Sequence, residues 1–178
     1  MADRTLDILD AHLDGDFRVL PMAETPVSRE QIAAIGARFG VTYPAALADH
    51  VCGRFPGMYV EVKESLWPRP KAFDVGPFWS FLYAVHTYTS APESEPWMRL
   101  DHAAERFRAD TGLVAAPVLK IEGDADVYCV DAHGTLCRFD HETNELRRVE
   151  GDYWSILDRE IGELRARKDR KKAERAGA

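Results

Sequence analysis

Cysteine is scarce in this chain: three in 178 residues, at Cys52, Cys129 and Cys137. An odd, sparse count with no C-x-x-C pair argues against a secreted disulfide framework and against a thiolate zinc cluster. The six histidines are scattered, and no two stand at i, i+4 with a glutamate between them. Glycine-rich phosphate loops and the G-x-S-x-G nucleophile turn are both missing. No apolar run approaches the roughly 20 residues that a membrane helix needs. No basic-then-apolar segment opens the chain, because Asp3, Asp7 and Asp10 stud its first turns. These gaps set the expectation of a cytoplasmic protein with reduced thiols, no metal, no cofactor and no catalytic residue.

Positive charge is also short. Lysine and arginine number 23 against 30 acids, a net charge of -7. The shortage is sharper in the body, because residues 165–178 hold seven basic residues against two acidic ones. That tail carries +5 and leaves -12 on residues 1–164. An acidic body repels nucleic-acid and membrane phosphates and attracts basic partners over a Debye length of about 8–10 Å. The tail lacks interleaved aromatics, so nucleic-acid binding is not expected there. Its charge suits the negative end of a helix dipole.

What remains is an ordinary globular composition, 46% apolar and 30% charged, long enough for one sizeable core. Leu6, Ile8, Leu9 and Leu13 suggest a short amphipathic helix. Ser28 and Gln31 form a capping-box pattern, followed by Ile32, Ile35 and Phe39 at helical spacing and by Gly40 as a C-cap. Tyr43-Pro44 opens a second helix, with Pro44 at its first position. Residues 55–97 hold ten of the 18 aromatics and six of the ten prolines. There Met58–Val62 and Phe78–Tyr88 read as strands, and prolines 68, 70, 77, 92 and 96 break the rest into loops. A helix is expected over Leu100–Ala109, and strands over Pro117–Ile121, Asp126–Val130 and Thr135–Asp140. Tyr153, Trp154, Leu157, Ile161 and Leu164 mark one stripe of a closing helix that frays beyond about Arg167.

The turn Asp131-Ala132-His133-Gly134 puts glycine at a positive φ. If Gly134 forms the bulge of a three-residue hairpin, Asp131 faces Thr135 and Cys129 faces Cys137. That cysteine pair reads either as two small buried side chains or as an oxidisable pair. Asp124, Asp126 and Asp131 flank strands, which does not suit a helical calcium hand. They read as turn residues or as a patch for a basic partner.

Several modest motifs also stand in a telling order. Ser28–Gly40 is followed by Tyr43-Pro44, Gly57 with Met58–Val62, and Trp67-Pro68. Then come Pro117-Val118-Leu119-Lys120, Gly123-Asp124 through Tyr128 to Asp131, and Phe139-Asp140-His141-Glu142-Thr143. The basic helix from Tyr153 closes the series. Over about Leu6 to Lys172 this order resembles the SUKH superfamily, named in part for the Smi/Knr cell-wall regulators of fungi. The chain departs from that pattern at Tyr43, where leucine is commoner, and at Cys52-Gly53-Arg54-Phe55, where an Asn-Gly-Gly turn is usual.

The resemblance implies an α+β fold, a mixed and largely antiparallel sheet packed against helices, with a C-terminal helix. The chain is read as a lead-in over residues 1–27 belonging to the same domain, a SUKH-like domain over 28–166, and, where the apolar stripe ends, a frayed basic tail over 167–178. Bacterial members are mostly immunity proteins that neutralise cognate toxins, often nucleases. Fungal members are regulatory scaffolds, which supplies the alternative role. Neither role requires a catalytic residue or a cofactor. Nuclease toxins are often basic because their substrate is a polyanion, and an acidic inhibitor is steered toward them. The expected partner is therefore a basic protein toxin, met by a monomer or weak homodimer. Glu61, Glu64, Glu122, Asp124 and Asp126 are the candidate partner-binding acids, with Trp67 as aromatic anchor. For each, the competing reading is a solvated surface residue or, for Trp67, a core position.

Overall fold

A computed structural model describes residues 3–71 and 78–177. Helix α1 (Arg4–His12) starts where Asp3 accepts hydrogen bonds from the Thr5 and Leu6 amides. After β1 (Phe17–Pro21), helix α2 (Arg29–Phe39) carries the expected reciprocal cap between Ser28 and Gln31, and Gly40 ends it at φ +71°. Helix α3 (Ala45–Val51) differs slightly from expectation: Pro44 is its N-cap, not its first helical residue. Strand β2 (Met58–Val62) is as expected.

The apolar stretch after it is not one strand. Phe78–Phe81 forms a 3-10 turn, and only Ala84–Thr87 forms the strand β3. Local bonds from the Leu82 amide to the Trp79 carbonyl and from the Tyr83 amide to the Phe81 carbonyl take up backbone groups that a strand would pair. The break expected at Pro77 lies outside the described residues. Helix α4 (Leu100–Thr111) runs two residues past the expected end, and β4 (Ala115–Ile121), β5 (Val127–Asp131) and β6 (Leu136–Asp140) follow. Strand β7 (Glu145–Arg148) was not legible, because three of its four residues are charged, as on an edge strand. Helix α5 (Tyr153–Ala176) completes the chain.

The seven strands lie in sequence order, and every neighbouring pair is antiparallel. The fold is α+β as expected, with a C-terminal helix, and the sheet, expected to be mixed and largely antiparallel, is antiparallel throughout. The β5–β6 hairpin has the expected register. Gly134 sits at φ +76°, the Asp131 amide donates to the Thr135 carbonyl, and Cys129 faces Cys137.

Strand alternation gives the sheet two different faces. The inner face presents Phe17, Val60, Val62, Val85, Leu119 and Val130 to Ile156, Leu157, Ile161 and Leu164 of α5, with α1 and α3 alongside. On the outer face, Phe107 of α4 covers Ala115, Cys129 and Phe139 near β4–β6. Among the described residues no helix is long and apolar enough to cross a membrane.

Two features bear on the cysteines and the tail. Burial pushes the Cys129 and Cys137 thiols up, and each donates to a nearby carbonyl. Cys52 is partly exposed. In the native protein an aromatic disulfide reagent should therefore label Cys52 first, with the other two following only as the protein unfolds. Rapid labelling of all three would contradict the buried pair. The end of α5, expected to fray, is docked instead. Lys168 is 2% exposed beside Asp14 and Asp16, and the Arg167 guanidinium donates to the Leu82 carbonyl.

Candidate functional site

Among the described α-helices α4 packs on the outer face, at its β4–β6 end. Across all seven strands one row of side chains reads Leu20, Tyr59, His86, Lys120, Val127, Phe139 and Leu146, each the register partner of the next. Helix α4 lies over the end of this row from Val127 onward. A parallel row reads Arg18, Glu61 and Ala84, and the Glu122 amide donates to the Ala84 carbonyl. No described helix covers the sheet over Leu20, Tyr59 and Glu61.

A proline-flanked turn places Trp97 over this region. Pro96–Met98 is a three-residue 3-10 turn, and it leaves the Trp97 side chain 50% exposed. The indole stacks over His86 at 5.9 Å between centroids and 19° between planes, and meets Tyr59 edge-on at 6.1 Å. Trp97 divides the cleft into two hollows. One, about 490 Å³, lies between α4 and the sheet, with His86, Phe107, Lys120 and Val127 in its lining. The other, about 570 Å³, lies over Leu20, Tyr59, Glu61 and Tyr83. Glu122 borders both.

His86 is the unusual group here. It is 6% exposed, and neither ring nitrogen has a hydrogen-bond partner. Burial, and then the Lys120 ammonium, lower its pKa to about 3, so the ring is neutral at ordinary pH. Burial likewise raises the Tyr59, Tyr83 and Tyr88 hydroxyls, with the Glu122 charge adding to each. Among the described residues neither Lys120 nor Glu122 makes an ion pair.

The candidate acids named from sequence do not form one surface. Glu61 is 5% exposed, gripped by Arg18 and by Arg69, whose Nη2 donates to Oε2 at 2.7 Å. Arg69 also donates to the Val62 and Trp67 carbonyls and lies 3.8 Å over the Tyr83 ring. Glu61 is therefore an internal counter-ion, not a free contact. Trp67 is 5% exposed and its indole donates to the Ser80 carbonyl at 3.0 Å, which makes it a core residue and corrects its reading as an anchor. Asp124 and Asp126 share Arg138, and Asp126 also accepts from His141 at 2.9 Å. Burial raises the Asp126 carboxyl, but His141 and Arg138 outweigh it and hold it below the usual range. Glu64 is exposed and Glu122 half-buried. Of the six, only Glu122 and the buried Glu61 border the aromatic cleft.

No protein-family model, curated protein or solved structure matches the chain.

Sequence reasoning missed Trp97, His86, Tyr59 and Lys120. The Tyr-Val-Glu-Val alternation of β2 carries a signal that Tyr59 and Glu61 share a face opposite Val60 and Val62. Nothing local places Trp97 over His86, since the turn between prolines 92 and 96 sets that approach. Among the described residues no three His, Cys, Asp or Glu side chains come together as a metal site. The arrangement offers a neutral imidazole, an exposed indole, and one unpaired ammonium and carboxylate. Those groups bind by stacking and hydrogen bonding.

Proposed function

We propose that the protein acts by binding another protein, and that it is an immunity protein of the SUKH kind that neutralises a cognate toxin of the nuclease type. One observation carries the binding surface: a half-exposed Trp97 beside exposed Leu20, on a sheet face that no described helix covers. Exposed aromatics over a partly desolvated floor are the usual anchors of protein interfaces. The acidic body supports a basic partner, which it would draw in by long-range attraction. The order of motifs from Ser28 to the helix at Tyr153 supports the SUKH-like role. In this reading the protein works in the cytoplasm, as a monomer or weak homodimer, without a cofactor. A regulatory scaffold of the same kind is the second role that the motif order supports.

The test is capture from the native host with tagged protein, followed by affinity measurement. Recovery of one basic, toxin-like chain supports immunity; recovery of signalling proteins supports the scaffold. The Trp97→Ala variant should weaken binding roughly 100-fold while melting like the parent. Unchanged affinity in that variant would move the interface elsewhere on the molecule.

A further inference from the structure

The hollow between α4 and the sheet has features that partner docking does not use. Its volume of about 490 Å³ suits a small molecule. Phe107, Val127 and Phe139 give it an apolar wall. Farther along the same sheet face, two strands from Val127, His86 is buried with two unpartnered ring nitrogens. A buried polar group without a partner costs about 1–3 kcal/mol, so its retention calls for a reason. A neutral imidazole carries one donor and one acceptor, and the group that satisfies it must supply both.

The charges around His86 narrow the chemistry further. Lys120 is its direct cross-strand neighbour, and Glu122 lies two residues along the same strand direction, on the same face. Neither makes an ion pair among the described residues, whereas Arg106 and Asp110 on the facing helix pair with each other. The hollow therefore presents one free cation and one free anion beside an apolar wall. A pure cation or a pure anion would meet repulsion from one of them.

We propose that this hollow binds a small zwitterion, an α-amino acid with an aromatic or large apolar side chain. The carboxylate accepts from Lys120 and from the imidazole N–H. The ammonium donates to Glu122 and to the other, unprotonated imidazole nitrogen, and the side chain packs on Phe107 and Val127. Three rings pack against that of His86: Tyr59, Tyr88 and Trp97. Tyr88 is 6% exposed, whereas Trp97 is half in water on a three-residue turn. Trp97 is the ring that moves aside when the ligand enters. This site stands independently of the immunity reading, because it is assayed without a protein partner.

The test is titration of the full chain with L-phenylalanine, followed through the side-chain resonances of His86. Phenethylamine, which lacks the carboxylate, and 3-phenylpropionate, which lacks the ammonium, are the comparisons. Phenylalanine should saturate the site, with each comparison binding roughly ten-fold or more weakly. Lys120→Met should erase the preference over phenethylamine, and Glu122→Gln the preference over 3-phenylpropionate. Both residues are partly exposed and unpaired, so neither variant should lose its fold. Failure of phenylalanine, leucine and tryptophan alike to saturate the folded protein overturns the proposal. So does either comparison binding as tightly as the amino acid.

Discussion

Between pH 6.5 and about 4 the folded state should lose several kcal/mol of stability through two buried histidines, His50 and His86. Burial drives both shifts. His50 is fully buried and its pKa falls to about 4 although the Asp3 charge opposes the change. His86 falls to about 3. In the unfolded chain both titrate near 6.5. Each folded pKa lies below its unfolded value, so the unfolded state binds more protons across the interval. The stabilisation is complete above about pH 6.5 and drains away as the pH falls toward the folded values. At about 1.4 kcal/mol per unit, His50 alone contributes on the order of 3 kcal/mol, and His86 a comparable amount.

The two histidines separate on substitution. His50 is bonded on both sides, to the Thr5 hydroxyl at 3.0 Å and the Thr87 hydroxyl at 2.8 Å. Replacing it with phenylalanine strands the Thr5 hydroxyl, leaves Thr87 with the Met58 amide as a partner, and should destabilise the protein at pH 7. His86→Phe removes an unpartnered polar ring from an aromatic nest, so stability at pH 7 should hold or rise. Urea midpoints from pH 7.5 to 4 check this. The His86→Phe curve should be visibly flatter than that of the parent, and a parallel curve would show that His86 does not resist protonation. Acid loss from carboxylates such as Asp126 is common to both proteins and cancels in the difference.

The parts of the fold that the sequence made legible are those set by near neighbours. The Ser28–Gln31 cap, the Gly40 stop and the Asp131–Thr135 hairpin each depend on residues a few positions apart. The same holds for the apolar stripe of α5 down to Leu164. Apolar density misled at Phe78–Tyr88, where composition cannot tell a 3-10 turn from a strand. Charge misled more seriously. An acid on a strand reads as solvent-facing until its partner is known, and Glu61 is enclosed by Arg69, eight residues away, and Arg18, 43 residues away. Asp124 and Asp126 are likewise committed to Arg138. Reversing their charge would break an internal bridge, so it is no clean test of partner steering. The cleft itself was hidden because Tyr59, His86, Trp97 and Lys120 come from four separate segments.

Deleting residues 168–178 should cost about 3 kcal/mol, because the basic end of α5 is a clamp. Composition alone says the opposite, since the apolar stripe stops at Leu164 and a charged helix end usually frays. The difference lies in what the charges meet. The Lys168 ammonium is held at 2.6 Å from Asp14, 3.5 Å from Asp16 and 2.7 Å from Asp169. Burial would lower its pKa, but Asp14 and Asp169 outweigh that and raise it to about 12. Lys172 reaches Asp16 at 2.8 Å, and Arg175 donates to the Ser65 and Leu66 carbonyls. Lys168 and Lys171 also lie over the rings of Phe17 and Trp67. Truncation therefore removes cations from the loop between α1 and β1 and uncovers two core aromatics at once. The melting temperature should fall by roughly 6–12 °C for a chain of this size. Lys168→Met should cost less, because it keeps the aliphatic cover over Phe17 while Asp14 and Asp16 remain partly in water. If the truncated chain melts with the full one, the helix end contributes nothing and frays as its composition suggests. If the deletion is costly and Lys168→Met is mild, packing of the helix end over Phe17 and Trp67 holds it in place more than its charge does.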